Sequence, residues 1–171
     1  MCVFLSASLA LPAGSLERAS ADEWVLSFKG VEGVTVMMPP EKLRSTWRVR
    51  LPVVYITRGS SAEGVGLVCH GRQRGSAYIF GDSMLAVWFR SGVRTDTGIH
   101  IGTLRSRLGA TYGDRLERAV RDYDNLYTVK AESPPPRPAL SFVVSNGRVR
   151  AIGYGLAAEL SRSESFSVDC R

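Results

Sequence analysis

The sequence predicts an α+β fold in which two tandem units, each a helix followed by a meander of antiparallel strands, form one curved sheet with the helices on one face. One observation is an internal repeat with a constant offset of 65 residues (98 − 33), comprising Gly33, Leu43 and Trp47 in the first copy and Gly98, Leu108 and Tyr112 in the second. Another is Asn146-Gly147 between two apolar runs, the strongest short hairpin signal that a sequence offers. A chain of 171 residues, 44% of them apolar, can bury the core that such a sheet needs.

The first predicted unit begins with a short apolar strand at residues 24–28, followed by a half-buried strand that residues 34–36 indicate by their alternation. Pro40 suits the first turn of a helix because its missing N–H has no partner there in any case. Leu43 and Trp47 are four residues apart, so they share the helix face that we expect to pack on the sheet. Further strands, rich in β-branched and aromatic residues, are predicted at residues 51–57, 65–69, 76–80 and 84–90.

The second predicted unit begins with a short strand at residues 98–103, where Thr103 is the expected N-cap of a helix. Leu104, Leu108 and Tyr112 recur every four residues, and Gly113 is a natural stop. We then expect a charged, solvated segment at 114–121, strands at 123–130, 140–144 and 148–154, an extended proline-rich loop at 133–138 and a last strand around Phe166 and Val168.

The domain organisation predicted from these elements has four segments: a possible truncated leader at 1–13, a linker at 14–23, a first repeat unit at 24–90 and a second at 91–171. The leader is apolar and ends in small residues, as a signal peptide does, but it lacks a positively charged start. Because of the apolar stretch and the small residues that follow it, we expect an exported protein of the cell envelope or exterior. It is cytoplasmic if Met1 is the true start and the leader has no function. No stretch is long enough to be predicted as a membrane-spanning helix.

The cysteines bear on the same question. Removal of the leader would take away Cys2 and leave Cys69 and Cys170, an even pair that in an exported protein would most simply form a disulfide. The alternative is two buried thiols in a cytosolic protein.

The charge of the chain is +6, and nineteen of its twenty-two basic residues are Arg (22 − 3 Lys). Such a bias suits phosphate recognition, because the guanidinium fork matches phosphate geometry. It equally reflects a GC-rich genome, and the arginines are scattered rather than gathered into one run. The scattering favours the second explanation, so nucleic-acid binding is a weak alternative.

Candidate catalytic residues are few. His70 and His100 lack further ligands at metal-binding spacing, so we predict no metal site and no cofactor. No nucleophile elbow and no phosphate-binding glycine loop occurs. Cys69 with His100 as base is conceivable as a small Cys-dependent hydrolase, which is the enzyme alternative. A free thiol of low pKa at Cys69 would favour the hydrolase, and a disulfide would favour a non-catalytic protein.

A surface argument remains for binding. Trp, Tyr and Arg carry much of the energy of protein interfaces, and several fall in predicted strands. The predicted binding residues on the sheet face opposite the helices are Met84, Trp88, Tyr123, Tyr127, Arg148, Arg150 and Tyr154. The alternative is that these aromatics close a second core layer or edge the sheet. A non-catalytic protein-binding module is the favoured function, with an unidentified protein partner.

A family resemblance points the same way. The run Gly98-Ile99-His100-Ile101-Gly102-Thr103, followed by Tyr112-Gly113 and by the segment 142–152, resembles a repeat of exported actinobacterial proteins. The unit is similar to the one duplicated in β-lactamase inhibitory protein and, more distantly, to small lipoproteins of outer-membrane assembly. This resemblance implies two tandem helix-plus-sheet units that present a concave sheet to a protein partner, as an inhibitor does. The first copy departs from the pattern at Met37-Met38 and Pro39-Pro40, and no binding residue is carried over.

Overall fold

The fold is seen in a computed structural model, which describes residues 23–47, 53–58, 61–70, 73–119, 125–132 and 137–163. Its helices are α1 (Pro40–Trp47), α2 (Arg105–Tyr112) and α3 (Ala157–Ser163). Its strands are β1 (Trp24–Ser27), β2 (Gly30–Val31), β3 (Val53–Arg58), β4 (Ser61–His70), β5 (Gln73–Phe80), β6 (Ser83–Ser91), β7 (Val93–Thr95), β8 (Glu117–Ala119), β9 (Asn125–Lys130), β10 (Pro138–Ser145) and β11 (Arg148–Leu156).

The described strands form two sheets. The larger has eight strands in the order β3-β4-β5-β6-β11-β10-β9-β8, all paired antiparallel. The smaller has the order β2-β1-β7, in which β1 and β7 run parallel. At the centre of the large sheet β6 pairs with β11 from Ala86 opposite Gly155 to Phe89 opposite Ile152. Because these two strands are antiparallel, the β5–β6 turn and the β10–β11 turn lie at opposite ends of the sheet.

Each face of the large sheet carries its own apolar cluster. On β6, Val87 and Phe89 belong to the main core, whereas Ala86 and Trp88 belong to a second cluster, as alternation along a strand requires. Buried residues of α1 and α2 pack into the main core. Leu160 of α3 packs into the second cluster. Helices α1 and α2 therefore cover one face, and α3 covers the other.

The two longer helices form for local reasons. Helix α1 starts at Pro40, carries Glu41 in its first turn and buries Leu43 and Trp47, which fits the proline and acidic preferences of a helix start. The Trp47 Nε1–H donates to the Val31 carbonyl at 3.2 Å, which ties the end of the helix to β2. Helix α2 buries Leu108 and Tyr112 and ends at Gly113, whose φ of 53° is left-handed.

The described chain is mostly β-sheet with three α-helices, which agrees with the predicted α+β class. The helices, however, are not all on one face. The prediction missed α3 because the segment contains one large apolar anchor, Leu160, which leaves no helical periodicity to read. It also missed β8, which is three residues long and lies within the predicted solvated segment. The proposed last strand around Phe166 and Val168 lies outside the described residues.

Three other local predictions are wrong. Residues 98–103 are not a strand, because His100 makes only an isolated bridge to Arg94 and the chain turns at Ile101 and Gly102. Residues 34–36 are not a strand: Val34 makes a single bridge to Val31, and the chain then turns because Met37 adopts a left-handed φ of 64°. The N-cap of α2 is Leu104, not Thr103. The Thr103 hydroxyl instead accepts a hydrogen bond from the His100 N–H at 3.0 Å, closing the turn before the helix.

Candidate interaction surface

The predicted binding face is not assembled as expected. Met84, Tyr127 and Tyr154 are buried in the main core, on the face that α1 and α2 cover. Trp88 lies on the opposite face, where it is 5% exposed and packs in the cluster that includes Leu160 of α3. These four side chains are therefore divided between two covered faces and do not form one exposed surface, which agrees with the alternative that the aromatics close core layers.

The remaining residues of that prediction lie elsewhere. Arg148 and Arg150 are exposed near the start of β11. Arg148 donates through Nη1 to the Gly102 carbonyl at 2.9 Å, and it forms an isolated β-bridge with Leu104. Tyr123 lies outside the described residues. The two arginines are thus the members of the predicted set that remain accessible on the described surface.

The described residues do not test the predicted disulfide between Cys69 and Cys170. The backbone of Cys69 belongs to β4, where it pairs in register with Arg74 of β5. Cys170 and the predicted leader at residues 1–13 lie outside the described residues. The Cys69–Cys170 disulfide and the hydrolase alternative therefore both stay predictions.

Among the described residues, no three His, Cys, Asp or Glu side chains come together in a way that could hold a metal ion. His100 Nδ1 lies 2.9 Å from the Ile101 carbonyl oxygen. Within the described ranges, no helix is long and apolar enough to cross a membrane.

Exposed large apolar side chains mark a different surface. In the described part of the chain they are Met37 (50% exposed), Phe80 (42%) and Leu104 (49%). Each lies beside one of the two central hairpin turns. Phe80 is the last residue of β5 and lies directly before the β5–β6 turn. Met84 lies directly after this turn, and its carbonyl accepts a hydrogen bond from the Met37 N–H at 2.8 Å. We call Met37 and Phe80 the Phe80 corner.

The second such surface lies at the β10–β11 turn. The Arg105 N–H donates to the Gly147 carbonyl at 2.9 Å, and Leu104 bridges Arg148. We call Leu104, Arg105, Arg148 and Arg150 the Leu104 corner. The four-residue spacing of Leu104, Leu108 and Tyr112 predicts that they share one face in a regular helix. As the N-cap, with an extended ψ of 143°, Leu104 lies outside the helical periodicity and remains exposed.

The hydroxyl groups of two buried tyrosines, Tyr112 and Tyr154, make hydrogen bonds to the segments that precede α2 and α1. The Tyr112 hydroxyl lies 2.8 Å from Thr97 Oγ1, which lies 2.8 Å from Thr95 Oγ1. The Tyr154 hydroxyl accepts a hydrogen bond from the Val36 N–H at 3.3 Å, which links β11 to the segment before α1. Burial raises the pKa of both tyrosines above the ordinary value, although their hydrogen bonds act in the opposite direction.

The fold and these corners define an α+β protein with a central antiparallel sheet and accessible apolar side chains at both of its central turns. No family model matches the sequence, and no curated protein matches it. Among solved structures, the chain is similar to the crystal structure of the uncharacterized protein yfeY from Escherichia coli. The TM-score is 0.52 at 18% sequence identity, and the match covers 78% of this chain and 99% of that one. At this identity the likeness supports the fold.

Proposed function

We propose that this protein is an exported, non-catalytic protein-binding module, inhibitor-like in its mode of action and built from two tandem copies of one helix-plus-sheet unit. The observation that carries the binding function is the position of the exposed large apolar side chains. In the described chain, Phe80, Met37 and Leu104 all lie beside hairpin turns, where a partner can reach them. Exposed apolar patches rimmed by polar residues mark protein-interaction sites, and Leu104 lies beside exposed arginines.

The boundaries of the elements support the duplication. Helices α1 and α2 are both eight residues long and are offset by 65 residues (105 − 40). The hairpin strands β5 and β6 start 65 residues before β10 and β11, respectively (138 − 73 and 148 − 83). The β5–β6 pairing has two irregularities, and the one at Tyr78/Ile79 has its counterpart at Val143/Val144 in the β10–β11 pairing, whereas the one at Arg74/Gly75 has none there. Conserved spacing of the regular elements and of one bulge is what a duplicated unit predicts.

Backbone hydrogen bonds beside the β5–β6 and β10–β11 turns also support the duplication. The Met37 N–H donates to the Met84 carbonyl at 2.8 Å, and the Gly102 N–H donates to the Val149 carbonyl at 2.8 Å. Met37 and Gly102 also share a left-handed φ, of 64° and 95°. Because non-glycine residues rarely adopt this conformation, its presence at Met37 favours a backbone path that the unit imposes.

With this duplication, the pairing of β6 with β11 at the centre of the sheet has an approximate two-fold symmetry. Trp88 pairs in register with Gly153, and these two are equivalent positions of the proposed units (153 − 88 = 65). Equivalent strands of the two units pair antiparallel about this point, as the subunits of a two-fold dimer would. The arrangement supports an origin in which one unit self-associated through its last strand and was later fused.

The binding function is tested by capture on the immobilised full-length protein. The bait is exposed to culture-supernatant and envelope fractions of the organism that makes it, beside a double variant, Phe80→Ser with Leu104→Ser. Both replaced side chains are about half exposed, so the variant is expected to fold normally, which circular dichroism checks.

We expect a defined protein to be retained by the unchanged chain and lost from the variant. Equal retention by both baits would contradict binding through the corners. Hydrolysis of ester or amide substrates that stops on alkylation of Cys69 would replace the proposal by the hydrolase. Export is tested separately by the intact mass of the protein recovered from the culture, since a chain that retains residues 1–13 contradicts removal of a leader.

A further inference from the structure

The Leu104 corner combines one apolar side chain with three guanidinium groups. Leu104 is 49% exposed, and Arg105, Arg148 and Arg150 are exposed around it. Two of the arginines are held in place by the fold. The Arg105 guanidinium lies 5.3 Å from the centre of the Tyr127 ring, and Arg148 donates through Nη1 to the Gly102 carbonyl at 2.9 Å. A guanidinium has five donors, so Arg148 retains others for a ligand.

The charge at this corner is not balanced by nearby carboxylates of the described chain. Elsewhere in the same half, Lys130 pairs with Glu117 at 2.6 Å and Arg115 with Glu132 at 3.6 Å. Within the described residues, Arg105, Arg148 and Arg150 form no ion pair. Helix α2 also has no acidic residue in its first turn, where the helix dipole favours one. The corner is therefore a concentrated and unneutralised positive surface.

The corresponding corner of the other half lacks this charge. At an offset of 65 residues, the counterparts of Arg105, Arg148 and Arg150 are Pro40, Ser83 and Leu85 (105 − 65, 148 − 65 and 150 − 65). Two backbone hydrogen bonds recur at both turns: Met37 N–H to Met84 and Met84 N–H to Met38 in one half correspond to Gly102 N–H to Val149 and Val149 N–H to Thr103 in the other. These shared contacts form at a turn without arginines, so they do not require the guanidinium groups. A cluster of cations that the fold does not need points to a ligand.

We propose that the Leu104 corner binds an acidic segment of a partner protein, in which carboxylates flank an apolar side chain. This inference rests on the proposed protein-binding function and names the chemistry of the partner at one of its two corners. Leu104 offers the apolar contact, and the guanidinium groups pair with the carboxylates in the forked geometry that Arg favours. Prior fixation of Arg105 and Arg148 reduces the entropy lost on binding.

A protein segment fits better than a nucleic acid. Single-stranded nucleic acids are held by aromatic side chains on which bases stack, beside a basic groove. The exposed large apolar residue at this corner is an aliphatic one. Phe80, the exposed aromatic of the described chain, lies at the opposite end of the sheet. A half-exposed Leu among arginines matches an apolar side chain between carboxylates.

The experiment measures binding of short fluorescent peptides to the full-length protein by anisotropy. The probes are a peptide with one Leu flanked by Asp and Glu in a Gly/Ser background, the same peptide with Leu replaced by Ser, and the same peptide with Lys in place of the acids. Each is titrated into the unchanged protein, into Arg105→Glu/Arg148→Glu and into Leu104→Ser. Arg137→Glu is the matched control, because Arg137 is exposed and precedes β10, at the end of that strand away from the turn.

We expect the acidic Leu peptide to bind, with an affinity that falls as salt rises. The double charge reversal should weaken it by at least about tenfold, and Leu104→Ser by roughly threefold to tenfold. The Arg137→Glu control should bind as the unchanged protein does. An amide chemical-shift map should place the bound peptide at residues 102–106 and 145–150.

Three anisotropy results overturn the inference: no binding of the acidic peptide at millimolar concentration, equal binding of the Lys peptide, or tighter binding of a fluorescent single-stranded DNA, titrated in the same way, than of the acidic peptide. A partner captured by the unchanged protein and held equally well by the charge-reversed variant would also overturn it, while leaving the proposed protein-binding function in place. Loss of capture from the Phe80→Ser/Leu104→Ser double variant does not show which corner binds the partner. The single variants Phe80→Ser and Leu104→Ser, tested separately, show this.

Discussion

Substitution of Gly153 tests the packing at the centre of the large sheet. A Cβ at this position would lie 2.8 Å from two ring atoms of Trp88 and 2.7 Å from Leu160 Cδ2. Carbon atoms pack best at about 3.5–4.0 Å, so the neighbours would have to move by roughly 1 Å. Insertion of a methyl group into such a packed site costs about 1–3 kcal/mol. We therefore expect Gly153→Ala to lower the free energy of unfolding by that amount.

The assay is urea unfolding followed by circular dichroism, with Gly109→Ala as the control. A Cβ at Gly109 meets nothing within 4 Å, and the residue is inside α2, so this substitution should stabilise by about 0.5–1 kcal/mol. Leu160→Ala alone should cost about 2–5 kcal/mol. In that background Gly153→Ala should cost less, because one of its clashes is gone. A cost below about 0.5 kcal/mol for Gly153→Ala, or strict additivity with Leu160→Ala, would refute the packing of α3 and Trp88 over β11.

Two further predictions concern buried hydroxyls. The pKa values of Tyr112 and Tyr154 are raised by burial, so the neutral forms are favoured in the folded protein and ionisation opposes folding. Their contribution to stability is complete below the unfolded-state pKa of about 10 and is lost as the pH rises above it. Alkaline unfolding measured with Tyr112→Phe and Tyr154→Phe should therefore be less steep in pH. Tyr127 has a buried hydroxyl without a hydrogen-bond partner among the described residues, so Tyr127→Phe should leave stability unchanged or raise it by up to about 1 kcal/mol in urea unfolding.

Each of these predictions has a result that contradicts it. An unchanged alkaline slope in both tyrosine variants would mean that other groups control unfolding at high pH. A loss of more than about 1 kcal/mol in Tyr127→Phe would mean that the hydroxyl has a partner in the folded chain.

The sequence was sufficient for the elements whose signals are local. Four-residue spacing predicted the apolar faces of the two helices, and Leu43 and Leu108 on these faces are both fully buried. Asn146-Gly147 gave the β10–β11 hairpin, in which both residues adopt a left-handed φ. Gly113 gave the end of α2. At Asn146-Gly147 and at Gly113, a residue type that tolerates a left-handed φ determined the backbone nearby.

The binding face could not be predicted because of the bulges. Met84 and Trp88 are four residues apart and would share a face of a regular strand. The register shift between Tyr78 and Ile79 places Met84 opposite Ile79 and Ala86 opposite Tyr78, so an extra residue lies between them and the faces exchange. The shift at Val143/Val144 does the same in β11, which separates Arg148 from the face of Tyr154. A period-two pattern shows which residues alternate, but no single-sequence signal marked either extra residue.

The two corners differ in chemistry and are far apart. Their turns each lie six residues from the central Trp88–Gly153 pair along the strand (88 − 82 and 153 − 147). At about 3.3 Å per residue, the corners are separated by a distance on the order of 40 Å. An ordinary interface buries roughly 800 Å² per partner, a patch about 30 Å across, so one such interface cannot cover both corners. On the proposed duplication, the second copy therefore supplied a separate binding surface rather than an enlargement of the first. Divergence of Pro40, Ser83 and Leu85 from their arginine counterparts is what independent selection on two surfaces would produce.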